Sequence, residues 1–122
     1  DVLLDIFDFF EEKINFCLKK KYKKEFIILD PGIGFGKNLD HNLRLMSKIS
    51  IFHSLGCPIL IGTSRKKFIE QIVTKFDTPD RTGGTLASVL HGLSQGVQIF
   101  RIHNVKEINQ GILVFNKILH TN

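Results

Sequence analysis

The sequence predicts an α/β chain built from one leading helix and three parallel βα units. Three observations predict it. Three short apolar runs, Phe26-Ile27-Ile28-Leu29, Pro58-Ile59-Leu60-Ile61 and Val97-Gln98-Ile99-Phe100, each stop at a cluster of small or polar residues. Each cluster gives way to a helical pattern. The run ends, Leu29, Ile61 and Phe100, lie roughly 30 to 40 residues apart, the length of a strand, a crossover helix and two loops. Continuous apolar runs rich in β-branched residues suit strands buried on both faces of a parallel sheet.

The elements follow in order. Residues 2–18 place Leu3, Ile6, Phe7, Phe10, Ile14 and Cys17 at steps of three and four, one face of a helix. The first strand is expected over 26–29. Residues 40–55 read as one helix with Leu45, Ile49 and Phe52 inward, and Gly56 placed to end it. The second strand is expected over 58–61. A helix over 66–75 is interrupted by the turn residues Asp77-Thr78-Pro79-Asp80-Arg81-Thr82-Gly83-Gly84, and a further helix covers 85–93. After Gly96 comes the third strand, 97–100. The last helix spans about 106–118, with Ile108, Ile112, Phe115 and Ile118 on one face.

Three strands leave two open sheet edges. A closed (β/α)8 barrel takes about 250 residues and eight strands. With 122 residues and three strands, the chain reads as a single partial domain, part of a larger barrel. The start, Asp-Val-Leu-Leu-Asp, has neither an initiator Met nor the basic region and apolar core of a signal peptide. It reads as the middle of something longer.

Composition narrows the function classes. Apolar residues make up 43%, enough to bury a core. No apolar stretch approaches the roughly 20 residues that span a bilayer, so no membrane partner is expected. Net charge is +5. Five lysines sit in one run, Lys19-Lys20-Lys21-Tyr22-Lys23-Lys24, where they complement the negative end of the first helix. No aromatic RNA-binding motif accompanies them, so no nucleic-acid partner is expected. Cys17 and Cys57 lack metal-ligand spacing and read as buried free thiols of a cytoplasmic protein.

The three clusters carry the chemistry. In a parallel α/β fold the carboxyl ends of successive strands face one pocket. At the first, Pro31 biases Asp30 toward an extended backbone and stops the ladder, which presents the carboxylate. Gly32, Gly34 and Gly36 let the following backbone turn tightly and approach a ligand. A P-loop is excluded, because Gly32 to Gly36 is one residue short and Asn38 follows Lys37. A dinucleotide fingerprint is excluded because residue 37 is Lys. Asp30 either caps a Gly-rich turn or accepts two parallel N–H bonds from a guanidine-like heterocycle edge.

At the second cluster, Gly62-Thr63-Ser64-Arg65-Lys66-Lys67, cations stand at a helix start, where they oppose its dipole. Either they are solvated, or a ligand justifies the local cost. At the third, Arg101 and His103 are two apart in extended chain and point to one side, with Ile102 on the other. Arg offers a fork of donors suited to phosphate oxygens and His adds another. The alternative is a structural Arg–Asp pair beside a core His.

Asp30-Pro31-Gly32-Ile33-Gly34-Phe35-Gly36-Lys37, Ser64-Arg65-Lys66 and Arg101-Ile102-His103 together resemble the C-terminal part of the dihydropteroate synthase family. That family joins p-aminobenzoate to 6-hydroxymethyl-7,8-dihydropterin pyrophosphate, releasing pyrophosphate, in folate biosynthesis, and is the sulfonamide target. The resemblance implies a TIM barrel, with the strands here as the sixth to eighth and the chain running from the fifth helix through the eighth. It implies Asp30 and Lys66 as catalytic residues, and Asp30, Lys66 and Gly34 at the pterin. It puts Phe35, Ser64, Lys66 and Lys67 at p-aminobenzoate, and Arg101 and His103 at pyrophosphate.

It further implies Mg²⁺, bound through pyrophosphate and an Asn on an upstream strand, and a homodimeric parent. The chain departs from the family at Asn104, where Asp is frequent, and at Lys67, where several members have Ser. The Mg²⁺-binding Asn, further pterin-binding residues and two loops belong to the first five strands, so the chain alone is expected to be inactive. Two alternatives remain: a pterin-binding methyltransfer domain, which has no pyrophosphate to hold, and a non-catalytic pterin-binding half-barrel.

Overall fold

The computed structural model describes residues 1–64, 67–73 and 80–122. Arg65, Lys66 and residues 74–79, on which the end of the helix expected over 66–75 and the turn residues Asp77-Thr78-Pro79 fall, lie outside the described residues. In chain order the elements are α1 (Val2–Lys19), α2 (Leu39–Ser47), β1 (Leu60–Ile61), α3 (Lys67–Val73), α4 (Thr82–Ser94), β2 (Ile99–Phe100) and α5 (Val105–Leu119). Two 3₁₀ segments, Lys24–Phe26 and Ile49–Leu55, also lie among the described residues. The chain is mostly helical around a short parallel sheet.

Asp1 caps α1 by accepting the Leu3 N–H at 2.9 Å. Leu3, Phe10 and Ile14 bury the expected face, with Ile6, Phe7 and Cys17 half-buried beside it. Arg44 of α2 grips the Asp1 carboxylate at 2.6 Å, which joins the two helices.

The strands are shorter than expected, for identifiable reasons. β1 and β2 pair in parallel, Leu60 with Ile99 and Ile61 with Phe100, and Leu29 adds a single parallel bridge to Ile59. The predicted strand 26–29 is therefore corrected to Leu29 alone. The N–H groups of Phe26 and Ile27 bond back to Lys23 and Lys24, both at 3.0 Å, and wind that stretch into a 3₁₀ turn. Phe26 and Ile28 stand 75% and 53% exposed.

The predicted strand 58–61 shortens because Pro58 has no N–H to donate and the Ile59 N–H goes to the Gln98 side chain at 2.9 Å. The predicted strand 97–100 shortens because the Val97 N–H still bonds the Gly92 carbonyl of α4 at 3.0 Å.

Two helix expectations also change. The stretch 40–55 is α2 and then 3₁₀, broken at Lys48. With three residues per turn, Ile49, Phe52 and Leu55 align in one buried stripe. Gly56 ends it as expected. The helix predicted at 85 begins instead at Thr82, because the Asp80 carboxylate accepts both the N–H and the hydroxyl of Thr82, at 2.9 and 2.6 Å. Gly84 is no turn residue. A Cβ there would overlap Cγ2 of Ile69, so the glycine lets α3 and α4 touch. Arg81 adds an ion pair across the same contact, 3.2 Å from Glu70.

One core runs from α1 through α2 and the 3₁₀ stripe to Leu29, Ile59 and Ile61 of the sheet. α4 packs on α5 and α2, and α5 buries Ile108. Ile118, expected inward, is exposed together with Leu113, Val114 and Leu119. Cys57 is buried, whereas Cys17 is only half-buried, and both are free thiols. Among the described residues no helix is long and apolar enough to cross a membrane.

Candidate active site

The parallel register brings the three strand ends together. The Arg101 N–H bonds the Ile61 carbonyl at 3.0 Å and the Leu60 N–H bonds the Leu29 carbonyl at 2.8 Å, so Asp30, Gly62 and Arg101 follow on adjacent strands. Asp30 Oδ1 accepts the Gly32 N–H at 2.9 Å, closing the turn that Pro31 starts. Asp30 Oδ2 lies 3.9 Å from Arg101 Nη1. Both side chains are more than a third exposed, so this pair adds little stability. Its significance is placement: a carboxylate and a guanidinium share one rim.

Gly62 makes that placement possible. A Cβ at residue 62 would lie 2.6 Å from Arg101 Nη2 and 3.1 Å from Cζ, where the guanidinium rests against the backbone.

The loop after Asp30 is held from within. Gly32, Gly34 and Gly36 all take positive φ, at 70°, 89° and 60°, a region that disfavours other residues. Lys37 Nζ folds back and donates to the carbonyls of Gly32 and Phe35, both at 2.8 Å. Burial against the loop lowers the Lys37 pKa from its ordinary value, and the charge of Asp30 acts in the opposite direction. Phe35 is left 63% exposed at the loop tip. A cleft of about 580 Å³ opens between α1 and this loop, with Asp30, Gly32 and Lys37 on one side and Asp5 and Phe9 on the other.

Asn42 was not singled out from the sequence. It is 2% exposed, and its Oδ1 accepts the Gly34 N–H at 2.8 Å. The available signal was a polar amide at the helical spacing of Leu45, Met46 and Ile49, inside the apolar stripe. Asn42→Ala removes the hydrogen bond to the Gly34 N–H and is expected to destabilise the chain by roughly 0.5–1.5 kcal/mol. Thermal unfolding of the variant checks this, and an unchanged midpoint would show that the loop stands without its prop.

Ser64 is 5% exposed and sits under His103. Its Oγ accepts the His103 backbone N–H at 3.0 Å and lies 2.9 Å from His103 Nδ1. The Ser88 hydroxyl donates to the Thr85 carbonyl at 2.8 Å and lies 2.7 Å from Thr63 Oγ1, tying the end of β1 to α4. His103 and Lys67 are exposed at the rim. Of the residues predicted from sequence, Asp30, Gly34, Phe35, Ser64, Arg101 and His103 thus fall at the described strand ends or the loop between them. Lys66 lies outside the described residues. Among the described residues no three His, Cys, Asp or Glu side chains gather to hold a metal ion.

The chain is similar in sequence and in structure to dihydropteroate synthases. Over 119 residues the chain is 38% identical to a dihydropteroate synthase of Escherichia coli, covering 98% of this chain and 42% of that relative. It superposes on a crystal structure of the Yersinia pestis dihydropteroate synthase in a sulfonamide drug complex with TM-score 0.92 and 35% identity, over 99% of this chain and 44% of that one. A crystal structure of the Thermus thermophilus enzyme in complex with 6HMPPP gives TM-score 0.89 and 32% identity, over 98% and 47%. The chain therefore spans less than half the length of each of these three relatives. A family model described as pterin binding enzyme matches residues 1–103, most of the chain, and the chain belongs to that family.

Proposed function

We propose that this chain forms the pterin and pyrophosphate rim of a dihydropteroate synthase. In this reading it supplies the barrel from the fifth helix through the eighth, with Leu29, β1 and β2 as the sixth to eighth strands. The observation that carries the reading is the approach of the Asp30 carboxylate to the Arg101 guanidinium, 3.9 Å, at the ends of adjacent strands. One group suits the N–H edge of an amino-pyrimidine, the other suits phosphate oxygens.

The roles follow from charge. Asp30 accepts two N–H bonds from the pterin and steadies positive charge on its methylene carbon as the C–O bond to pyrophosphate breaks. Arg101 and His103 hold the departing pyrophosphate, which keeps the bonding electron pair. The amine of p-aminobenzoate forms the new C–N bond and gives up a proton. Phe35 lies against the benzoate ring, and Lys66 and Lys67 serve the p-aminobenzoate side, with Lys66 also touching the pterin. Gly34 shapes the pterin loop. In this reading Mg²⁺ is bound through the pyrophosphate and a residue on an upstream strand outside this chain. The pyrophosphate-holding pair favours this reading over methyltransfer. A homodimeric parent acting in the cytoplasm, of the kind that sulfonamides target, belongs to the same proposal.

A chimera tests it. This chain, substituted for the matching 119 residues of the Escherichia coli synthase, is expected to condense dihydropterin pyrophosphate with p-aminobenzoate. The isolated chain is expected to give no turnover. A folded chimera without activity would refute the assignment.

A further inference from the structure

We propose that Ser64 is a positioning residue that fixes the tautomer and orientation of His103; the consequence for anions rests on the function proposed above. The backbone N–H of His103 can only donate, so Ser64 Oγ is its acceptor at 3.0 Å. The same oxygen lies 2.9 Å from Nδ1 of the same residue. A hydroxyl has one hydrogen and two lone pairs. If Nδ1 carried a proton, Oγ would accept twice and its own hydrogen would need another partner at a site only 5% exposed. Donation from Oγ to Nδ1 satisfies every group at once.

Neutral His103 then carries its proton on Nε2. The ring is held at two points, through its backbone and through Nδ1, by a buried hydroxyl at the end of β1. Nε2 lies across the ring from Nδ1, and the His103 residue is exposed. His103 thereby presents a donor, not a lone pair, beside Arg101. A donor attracts an anionic oxygen, whereas an imidazole lone pair repels it. Ser64, which the sequence motif suggested for p-aminobenzoate, has its hydroxyl occupied in this task.

Long-range ¹H–¹⁵N spectra of the ¹⁵N-histidine-labelled protein, recorded where His103 is neutral, test this directly. The wild type is expected to show an unprotonated Nδ1 and a protonated Nε2. Ser64→Ala is expected to give a mixture of tautomers, and Ser64→Thr, which keeps the hydroxyl, to restore the wild-type pattern. Pyrophosphate affinity, read by calorimetry, is expected to fall about fivefold in Ser64→Ala, one neutral hydrogen bond's worth of positioning.

A wild-type His103 protonated on Nδ1, or a Ser64→Ala spectrum identical to wild type, overturns the proposal. Should Ser64→Ala fail to fold, the wild-type and Ser64→Thr spectra still decide. If the wild type shows the Nε2–H tautomer yet binds no pyrophosphate, the anion role fails and the Ser64 assignment stands.

Discussion

Asp30→Asn is expected to lower affinity for a pterin such as 6-hydroxymethylpterin by about 100-fold. The substitution is nearly isosteric. Its side-chain oxygen can still accept the Gly32 N–H, now at 2.9 Å, so the turn keeps its shape. What changes is the second oxygen, which faces Arg101 at 3.9 Å. In Asn that position carries N–H donors, which cannot meet the N–H edge of an amino-pyrimidine. One hydrogen bond to a charged group, roughly 1.5–3 kcal/mol, is lost, the other becomes neutral and a donor now faces a donor, which together correspond to about two orders of magnitude. Calorimetric titration of the two forms measures the loss, and circular dichroism confirms that both are folded. A loss of less than about threefold would remove Asp30 from the pterin site.

The largest expected effect on stability comes from Phe52→Ala. Phe52 is fully buried in the 3₁₀ stripe. Its ring meets Phe10 edge-on with centroids 5.3 Å apart and Phe7 at 6.5 Å, so one side chain joins α1 to the segment leading into β1. Truncating a buried Phe costs about 3–5 kcal/mol through lost burial and the cavity left behind. Small domains have total stabilities of about 5–15 kcal/mol. Urea unfolding should therefore show the midpoint fall by a large fraction. A loss under about 1 kcal/mol would mean that the core collapses around the gap.

Much of this architecture was legible in the chain because it rests on local rules. Steps of three and four gave α1 and α5, and Pro31 after Asp30 marked the first strand end. Strand lengths were less legible, because they depend on which N–H groups are already taken. Pro58 has none, the Ile59 N–H goes to Gln98, and the Val97 N–H remains with α4. Gly84 misled for a related reason. Glycine reads as a turn signal, but here it makes room for Ile69 on a neighbouring helix.

At the site, the charged residues announced themselves through type and spacing. Their supports did not. Asn42 looks like any helical polar residue until Gly34 is found against it, and Lys37 resembles a ligand-binding lysine until its amine is found on two carbonyls. Ser64 and His103 are far apart in sequence, and only the parallel pairing of β1 with β2 joins them.

The internal ties of the loop after Asp30 have a thermodynamic consequence. Lys37 clasps the carbonyls of Gly32 and Phe35, and Asn42 holds Gly34 between them. Ordering a residue's backbone costs about 1–2 kcal/mol in conformational entropy. In a floppy glycine loop that cost would fall on the ligand at the moment of binding. Here folding has already met it, so a ligand arriving at this rim keeps more of its contact energy as affinity.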